Sequence, residues 1–260
     1  MAALFSPVIG VILKAVRKSS KGLMRDFNEV RYLHSSYTTA SEFTRAAYAR
    51  SSRIIGEELS YYKQGLGMFF EGTRNGDAAL GDMFWFVSPI DSRTNFMSGI
   101  PYFATAVALV KNGEVVAAVV DAPALNETYY AEKGFGAFVE SNHGRYTRLR
   151  VTNKTSVNAA VLDFTAGDAG VRDVVCKLAT NHIVLRSMGS IVLGISYLCS
   201  ACYDIIIYSG VQEYKAGMAT LFVEESRGNV SITGNLLCAS NSDLLAFLGQ
   251  GLPHNSEEKN

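Results

Sequence analysis

The stretch FWFVSPIDSRTNFMSGIP, residues 84–101, ends an apolar run on the carboxylate Asp91, then crowds Ser92, Arg93, Thr94 and Asn95 into a turn. A second carboxylate, Glu71, closes another short aromatic run, GMFFE. Carboxylates held at strand ends suit magnesium-assisted phosphate chemistry, because Mg2+ takes hard oxygen ligands in near-octahedral geometry and needs a rigid scaffold to gather them. Neighbouring sheet strands would bring Glu71 and Asp91 together. A solvated turn residue after a strand gives the same bare pattern, so the rest of the chain has to decide.

Other candidates carry less. Cys199 and Cys202 have CxxC spacing inside SYLCSACYD, but no second pair or nearby histidine completes a zinc site, and the run reads as an apolar helix with packed thiols. His34, His143, His182 and His254 lie far apart without metal-ligand spacing. GFGAF is a glycine turn between strands, since no helix follows it as a dinucleotide fingerprint requires. In RSMGS, residues 186–190, Ser190 is suited to cap a following helix.

The elements that must position Glu71 and Asp91 are legible from periodicity. Helical spacing runs over 6–33 and 41–63, and the period then shortens to strands at 65–72 and 82–91. Two apolar runs flank Lys111-Asn112-Gly113-Glu114, and Asn-Gly favours the type I′ turn of a hairpin. ETYYAEKGFGAFVES continues as strand, turn and strand. From about residue 150 strands alternate with helices: strands at AAVLDFT, HIVLRSMG, YDIIIYS and NVSITG, and helices at DVVCKLAT, SIVLGISYLCSAC, KAGMATLFVEESRG and NSDLLAFLGQGL. This order predicts a layered α/β protein with an antiparallel first half (1–150, carrying the candidate site) and an alternating second half (151–260), packed as one unit. The tail PHNSEEKN is expected to be disordered.

Hydrophobic residues make up 48% and charged residues 18% of the 260, enough apolar side chains for a sizeable core. Equal numbers of basic and acidic residues, 24 of each, remove the broad footprint of a nucleic-acid binder while leaving room for a local patch. The N-terminal apolar segment precedes its basic residues, the reverse of a signal peptide, and no apolar run approaches membrane-spanning length. The expectation is a soluble, cytoplasmic protein with no membrane partner.

From WFVSPID to GFGAF the sequence resembles the inositol monophosphatase family, including the bacterial extragenic suppressor proteins. The family pattern reads approximately W-[IV]-[VI]-D-P-[IL]-D-G-T-[TS]-N-F-x-x-G-[IL]-P and continues through a hairpin to G-x-G-A-[FW], matched by Gly134-Phe135-Gly136-Ala137-Phe138. The resemblance implies a five-layer αβαβα sandwich, usually a homodimer. It also implies a magnesium-dependent phosphomonoesterase acting on inositol monophosphates or related sugar and nucleotide phosphates. By the same resemblance, Glu71 matches the strand-end metal ligand and Asp91 the second motif aspartate, with the Ile90 carbonyl available between. The first motif aspartate is Ser88, the glutamate after Glu71 is Gly72, and Gly-Thr is Ser92-Arg93. YKAGMATLFVEESRG falls on W-D-x-A-A-G-x-x-x-x-x-E-[AS]-G-G, which puts Lys215 at the metal-binding aspartate. An offset of two would put Glu213 there but breaks the match of Glu225 and Gly228. The aspartate that binds a weak extra metal is Glu42, and Gly189 and Ser190 stand where the family contacts the substrate ring.

Glu71 and Asp91 supply two negative charges, and Arg93 and Lys215 two positive ones, so the site is expected to balance without a metal. A lysine at a ligand position is both a missing oxygen and a competitor for the cation. One reading is a family scaffold that has lost two-metal catalysis, a pseudoenzyme whose Ser92 backbone, Arg93 and Lys215 still hold an inorganic anion or a small phosphorylated polyol. The alternative is a one-metal phosphomonoesterase using Glu71, Asp91 and the Ile90 carbonyl.

Overall fold

The computed structural model describes residues 5–33, 37–62, 65–72, 81–141, 145–165, 169–179 and 182–251. The expectations for His34, His143, His254 and the 253–260 tail fall outside these residues.

Two long helices, α1 (Pro7–Val30) and α2 (Tyr37–Ser60), open the chain. Ser6 caps α1 by accepting from the Ile9 N–H, and Pro7 occupies the first turn, where its missing N–H is harmless. A seven-stranded sheet follows: β1 (Gly67–Phe70), β2 (Met83–Asp91), then a short α3 (Arg93–Met97), β3 (Ala104–Lys111), β4 (Glu114–Ala122), β5 (Glu127–Glu132), β6 (Gly136–Ser141) and β7 (Arg145–Arg148), in spatial order β1 to β7. The β3–β4 turn has Asn112 at φ 52° and Gly113 at φ 80°, the left-handed pair that a type I′ turn demands.

The second half supplies β8 (Val161–Phe164), α4 (Ala169–Ala179), β9 (Val184–Arg186), α5 (Ile191–Cys199), β10 (Ile205–Ser209), α6 (Glu213–Glu225), β11 (Asn229–Thr233), β12 (Leu236–Ser240) and α7 (Ser242–Gly251). Its five strands are ordered β11-β12-β10-β8-β9. Layers follow from the buried clusters. Ile9, Ile12 and Val16 of α1 meet Trp85, Val107 and Val119 on one face of the first sheet. Val192, Leu198, Met218 and Phe222 of α5 and α6 fill the space between Phe84, Ala106 and Val120 of that sheet and Ile206 and Leu237 of the second. Val174 of α4 and Leu244 of α7 cover the far face through Ile205, Ile207 and Cys238. The result is the αβαβα sandwich that the resemblance implied.

Four details depart from the sequence reading. β1 pairs with β2 in parallel, not antiparallel. The polar run after Asp91 is a short helix, α3, where the sequence reading had only a turn. Two strands, β7 and β12, complete the sheets where none was expected: β7 is exposed along its length, so it shows no apolar alternation. Cys202 lies beyond the end of α5 and is exposed, whereas Cys199 is buried as expected.

Candidate functional site

Parallel pairing of β1 with β2 aligns Phe70 with Val87, and the Glu71 N–H extends the ladder to the Val87 carbonyl at 2.9 Å. Glu71 thereby sits beside Ser88, whose hydroxyl donates to Glu71 Oε2 at 2.5 Å. Between Ser88 and Asp91 the β2–β3 register slips by one residue: Ser88 faces Ala106 but Asp91 faces Ala104. Bulges of this kind re-aim side chains at sheet ends. The freed Pro89 carbonyl is satisfied by the Thr105 hydroxyl at 2.9 Å, and no ladder N–H is lost because proline has none.

Asp91, 2% exposed, is held from the second half of the chain. Its Oδ2 accepts from the Ser190 hydroxyl at 2.5 Å and from the Val192 N–H at 3.3 Å. Ser190 is also the N-cap of α5, accepting from the Leu193 N–H at 3.3 Å. The helix-cap reading of Ser190 is therefore the observed one. Gly189, at φ 85°, makes the turn before it, packed so that a Cβ there would meet Asn95 and Ser92 at 3.4–3.6 Å.

Lys215 completes the cluster. Its ammonium lies 2.7 Å from Glu71 Oε1 and pairs directly with Asp91 Oδ1. The residue is 5% exposed. Burial alone would pull its pKa down, but the attraction of Asp91 and Glu71 and the hydrogen bonds to both outweigh it, holding the ammonium above the ordinary lysine value. A cation in the first turn of a helix opposes the macrodipole, which favours anions there. Lys215 is kept in that position by its two carboxylate partners. Gln212 caps α6 through the Tyr214 and Lys215 N–H groups, at 2.8 and 3.1 Å. Tyr214 packs among Phe69, Phe84 and Phe86 with centroids 5.3–5.5 Å away, fixing the helix start against β1 and β2. Glu213, the alternative for the late aspartate position, is exposed, as is Glu42.

Arg93 is arranged differently from the expected charge balance. It starts α3 after Ser92, which is left-handed at φ 64°, and its guanidinium stacks 4.8 Å above the Tyr48 ring. Among the described residues it forms no ion pair, so one cation rather than two touches the carboxylates. A Cβ at Gly72, itself at φ 76°, would stand 2.6 Å from an Arg93 guanidinium nitrogen. Arg93 thus occupies the space beside Gly72, the position of the second family glutamate. The Tyr48 hydroxyl donates to the Glu71 carbonyl, and burial raises its pKa, with Glu71 adding to the rise and Arg93 opposing it.

Sequence reasoning missed a supporting network. Asn95 donates to the Tyr102 and Met188 carbonyls at 2.7 and 2.8 Å, and the Met188 N–H donates to Asp163 at 3.1 Å. Tyr208 donates to the other Asp163 oxygen at 2.5 Å, and burial raises the Asp163 pKa despite these donors. A Cβ on Gly194 would sit 1.7 Å from the Tyr208 oxygen, so only glycine fits. These contacts join residues up to 93 positions apart, and no local pattern announces them.

Magnesium can be tested against these groups. Two cations need several hard oxygens converging on open space. Here Ser88 is a hydroxyl already bonded to Glu71, and the space between the carboxylates is taken by the Lys215 ammonium. The donor set does not fit a two-metal centre. Among the described residues no group of three or more His, Cys, Asp or Glu is placed to hold a metal.

Fold and site define a layered α/β protein of the phosphatase-scaffold class, with carboxylates at the ends of adjacent strands facing the start of a helix. The sequence profile of the inositol monophosphatase family matches residues 5–214. An inositol-1-monophosphatase of Rhizobium meliloti is 32% identical over 229 residues, 86% of this chain and 84% of that protein. The Nus factor SuhB of Pseudomonas aeruginosa is 28% identical over 247 residues, covering 86% and 85%. The crystal structure of extragenic suppressor protein suhB from Bartonella henselae matches the fold with a TM-score of 0.81 at 24% identity, over 95% of this chain and 99% of that one. The chain belongs to the inositol monophosphatase family. No described helix is long and apolar enough to cross a membrane.

Proposed function

We propose that this family member does not run two-metal phosphomonoester hydrolysis and that Lys215 serves as the internal cation of its site. The observation that carries this reading is the Lys215 ammonium lodged between Glu71 and Asp91. A buried lysine with two carboxylate partners is stable only while those partners stay ionised and unshared, so a divalent cation must displace it to enter. Ser88 supports the reading, because a hydroxyl donating to Glu71 replaces a carboxylate that would repel it.

On this reading the protein works by binding, as a homodimer or through a partner. Arg93, exposed at the rim and held by Tyr48, is suited to a small phosphorylated polyol or inorganic anion. A relative named as a Nus factor rather than a phosphatase makes a role outside hydrolysis worth testing.

The test is phosphate release from inositol-1-phosphate across a magnesium titration, with melting temperature followed in parallel. The proposal expects neither turnover nor a magnesium-dependent shift. It also expects Ser88→Asp with Lys215→Asp to gain the shift. Metal-stimulated turnover by the unmodified protein would overturn it in favour of a one-metal phosphomonoesterase using Glu71, Asp91 and the Ile90 carbonyl.

A further inference from the structure

Arg148, Arg150 and Arg227 lie at the other end of α6, about 15 Å along the helix from Lys215 by the rise of an α-helix. The segment after β7 is tied there by the Val151 N–H donating to the Ser226 carbonyl at 3.1 Å. Arg150 donates to the Glu225 carbonyl at 3.4 Å and to its neighbour Leu149 at 2.8 Å. Arg148 stacks 5.7 Å over Phe138, its guanidinium 2.9 Å from where a Gly136 Cβ would stand. Glu225, in the last turn of α6, is committed to the Gly134 and Gly136 N–H groups at 2.6 and 2.7 Å. None of Arg148, Arg150 and Arg227 forms an ion pair among the described residues. Burial, then the charges of Arg148 and Arg227, push the Arg150 pKa down, so each of these two repels Arg150.

Arg227 stands against local preference. The helix ends in a Schellman motif: the Arg227 N–H reaches the Glu224 carbonyl at 2.9 Å and the Gly228 N–H reaches Val223 at 2.8 Å. The residue between Ser226 and Gly228 must be left-handed, and Arg227 has φ 64°. Glycine is the usual occupant, and the family pattern reads glycine there. One cation at a helix C-terminus is favourable, and Arg150 already supplies it at the Glu225 carbonyl. Two more guanidinium groups, one on a strained backbone, exceed what the helix end requires.

We propose that Arg148, Arg150 and Arg227 form a binding site for a compact, multiply charged phosphate group, separate from the Glu71–Asp91–Lys215 cluster. Guanidinium forks suit phosphate oxygens, and a bound dianion would relieve the repulsion on Arg150. The chain's zero formal net charge favours a compact anion over a long polyanion, which needs an extended basic track.

The test uses the full chain with inorganic pyrophosphate, read by calorimetry and melting temperature. The unmodified protein is expected to bind and to melt higher with pyrophosphate. Arg227→Gly should melt higher than the unmodified protein without ligand, since glycine suits the turn, yet bind pyrophosphate at least about ten-fold more weakly. Arg148→Gln should lose affinity similarly. Undiminished binding by Arg227→Gly, or loss on Arg93→Gln instead, would place the anion elsewhere and overturn the proposal. So would absence of binding by the unmodified protein, or binding of a short single-stranded oligonucleotide that pyrophosphate does not displace.

Discussion

Lys215 and Asp91, 124 positions apart in the chain, form a direct ammonium–carboxylate pair that is closed to solvent, with Glu71 on the ammonium's other side. The pair sets what the site can hold, and removing Lys215 leaves Glu71 and Asp91 without a cation.

Lys215→Met keeps the length and apolar stem but deletes the charge. Breaking a buried pair in this way typically destabilises by about 3 kcal/mol or more. Chemical denaturation should show a lower midpoint with an unchanged slope. Added magnesium should recover part of the loss in the variant and none in the unmodified protein.

The raised Lys215 pKa gives this interaction a defined pH window. The folded state binds the proton more tightly than the unfolded chain, so the stabilisation is fully present below the unfolded lysine value, about 10.4, and is lost as pH rises through the higher folded value. The stability difference between the unmodified protein and Lys215→Met is therefore expected to be flat across neutral pH and to shrink only in strong alkali. A difference that collapsed between about pH 7 and 9 would mean the lysine titrates below its ordinary range.

Asp121 gives a signature of the same sign that begins in the ordinary aspartate range. It is buried, accepts from the Thr128 hydroxyl at 2.7 Å and from the Ser20 hydroxyl, and burial raises its pKa in spite of both donors. A carboxyl whose folded pKa is raised is favoured when protonated, so its contribution falls as pH rises through that folded value. Asp121→Asn should be more stable than the unmodified protein at neutral pH. That advantage should fade as pH falls through the folded value toward the ordinary aspartate range, which urea melts across acid pH would reveal.

Gly194→Ala forces a methyl onto the Tyr208 hydroxyl and Asp163, at 1.7 and 2.9 Å. Overpacking in a filled core costs about 1–3 kcal/mol, and the rigid sheet behind Tyr208 puts this case at the upper end. Tyr208→Phe removes the clashing oxygen, so the double variant should lose less than the sum of the two single losses. A double-mutant cycle should give a coupling of about 1 kcal/mol; strict additivity would mean that the helix moves instead.

The family's loop, the β3–β4 hairpin and both long helices were legible in the sequence because they rest on local rules: periodicity, Asn112-Gly113 at a type I′ turn, Pro7 at a helix start. The layer order came through resemblance. The substitutions at Ser88, Arg93 and Lys215 were equally visible, and their concurrence pointed to an altered metal site. Sequence could not assign the charges to partners. It set Arg93 and Lys215 together beside the carboxylates as a charge balance, whereas the tertiary structure stacks Arg93 on Tyr48 and against Gly72, leaving Lys215 to serve both Glu71 and Asp91. It could not show that Ser190 is spent on Asp91 and the α5 cap, or that Asp163, Tyr208 and Gly194 form one packed unit. β7 stayed hidden because an exposed edge strand has no buried face to impose alternation. Residue type and spacing determined which groups were available. Which of them touch was decided by the parallel pairing of β1 with β2, the bulge before Asp91 and the seating of α6, because each depends on contacts between distant segments that no local pattern encodes.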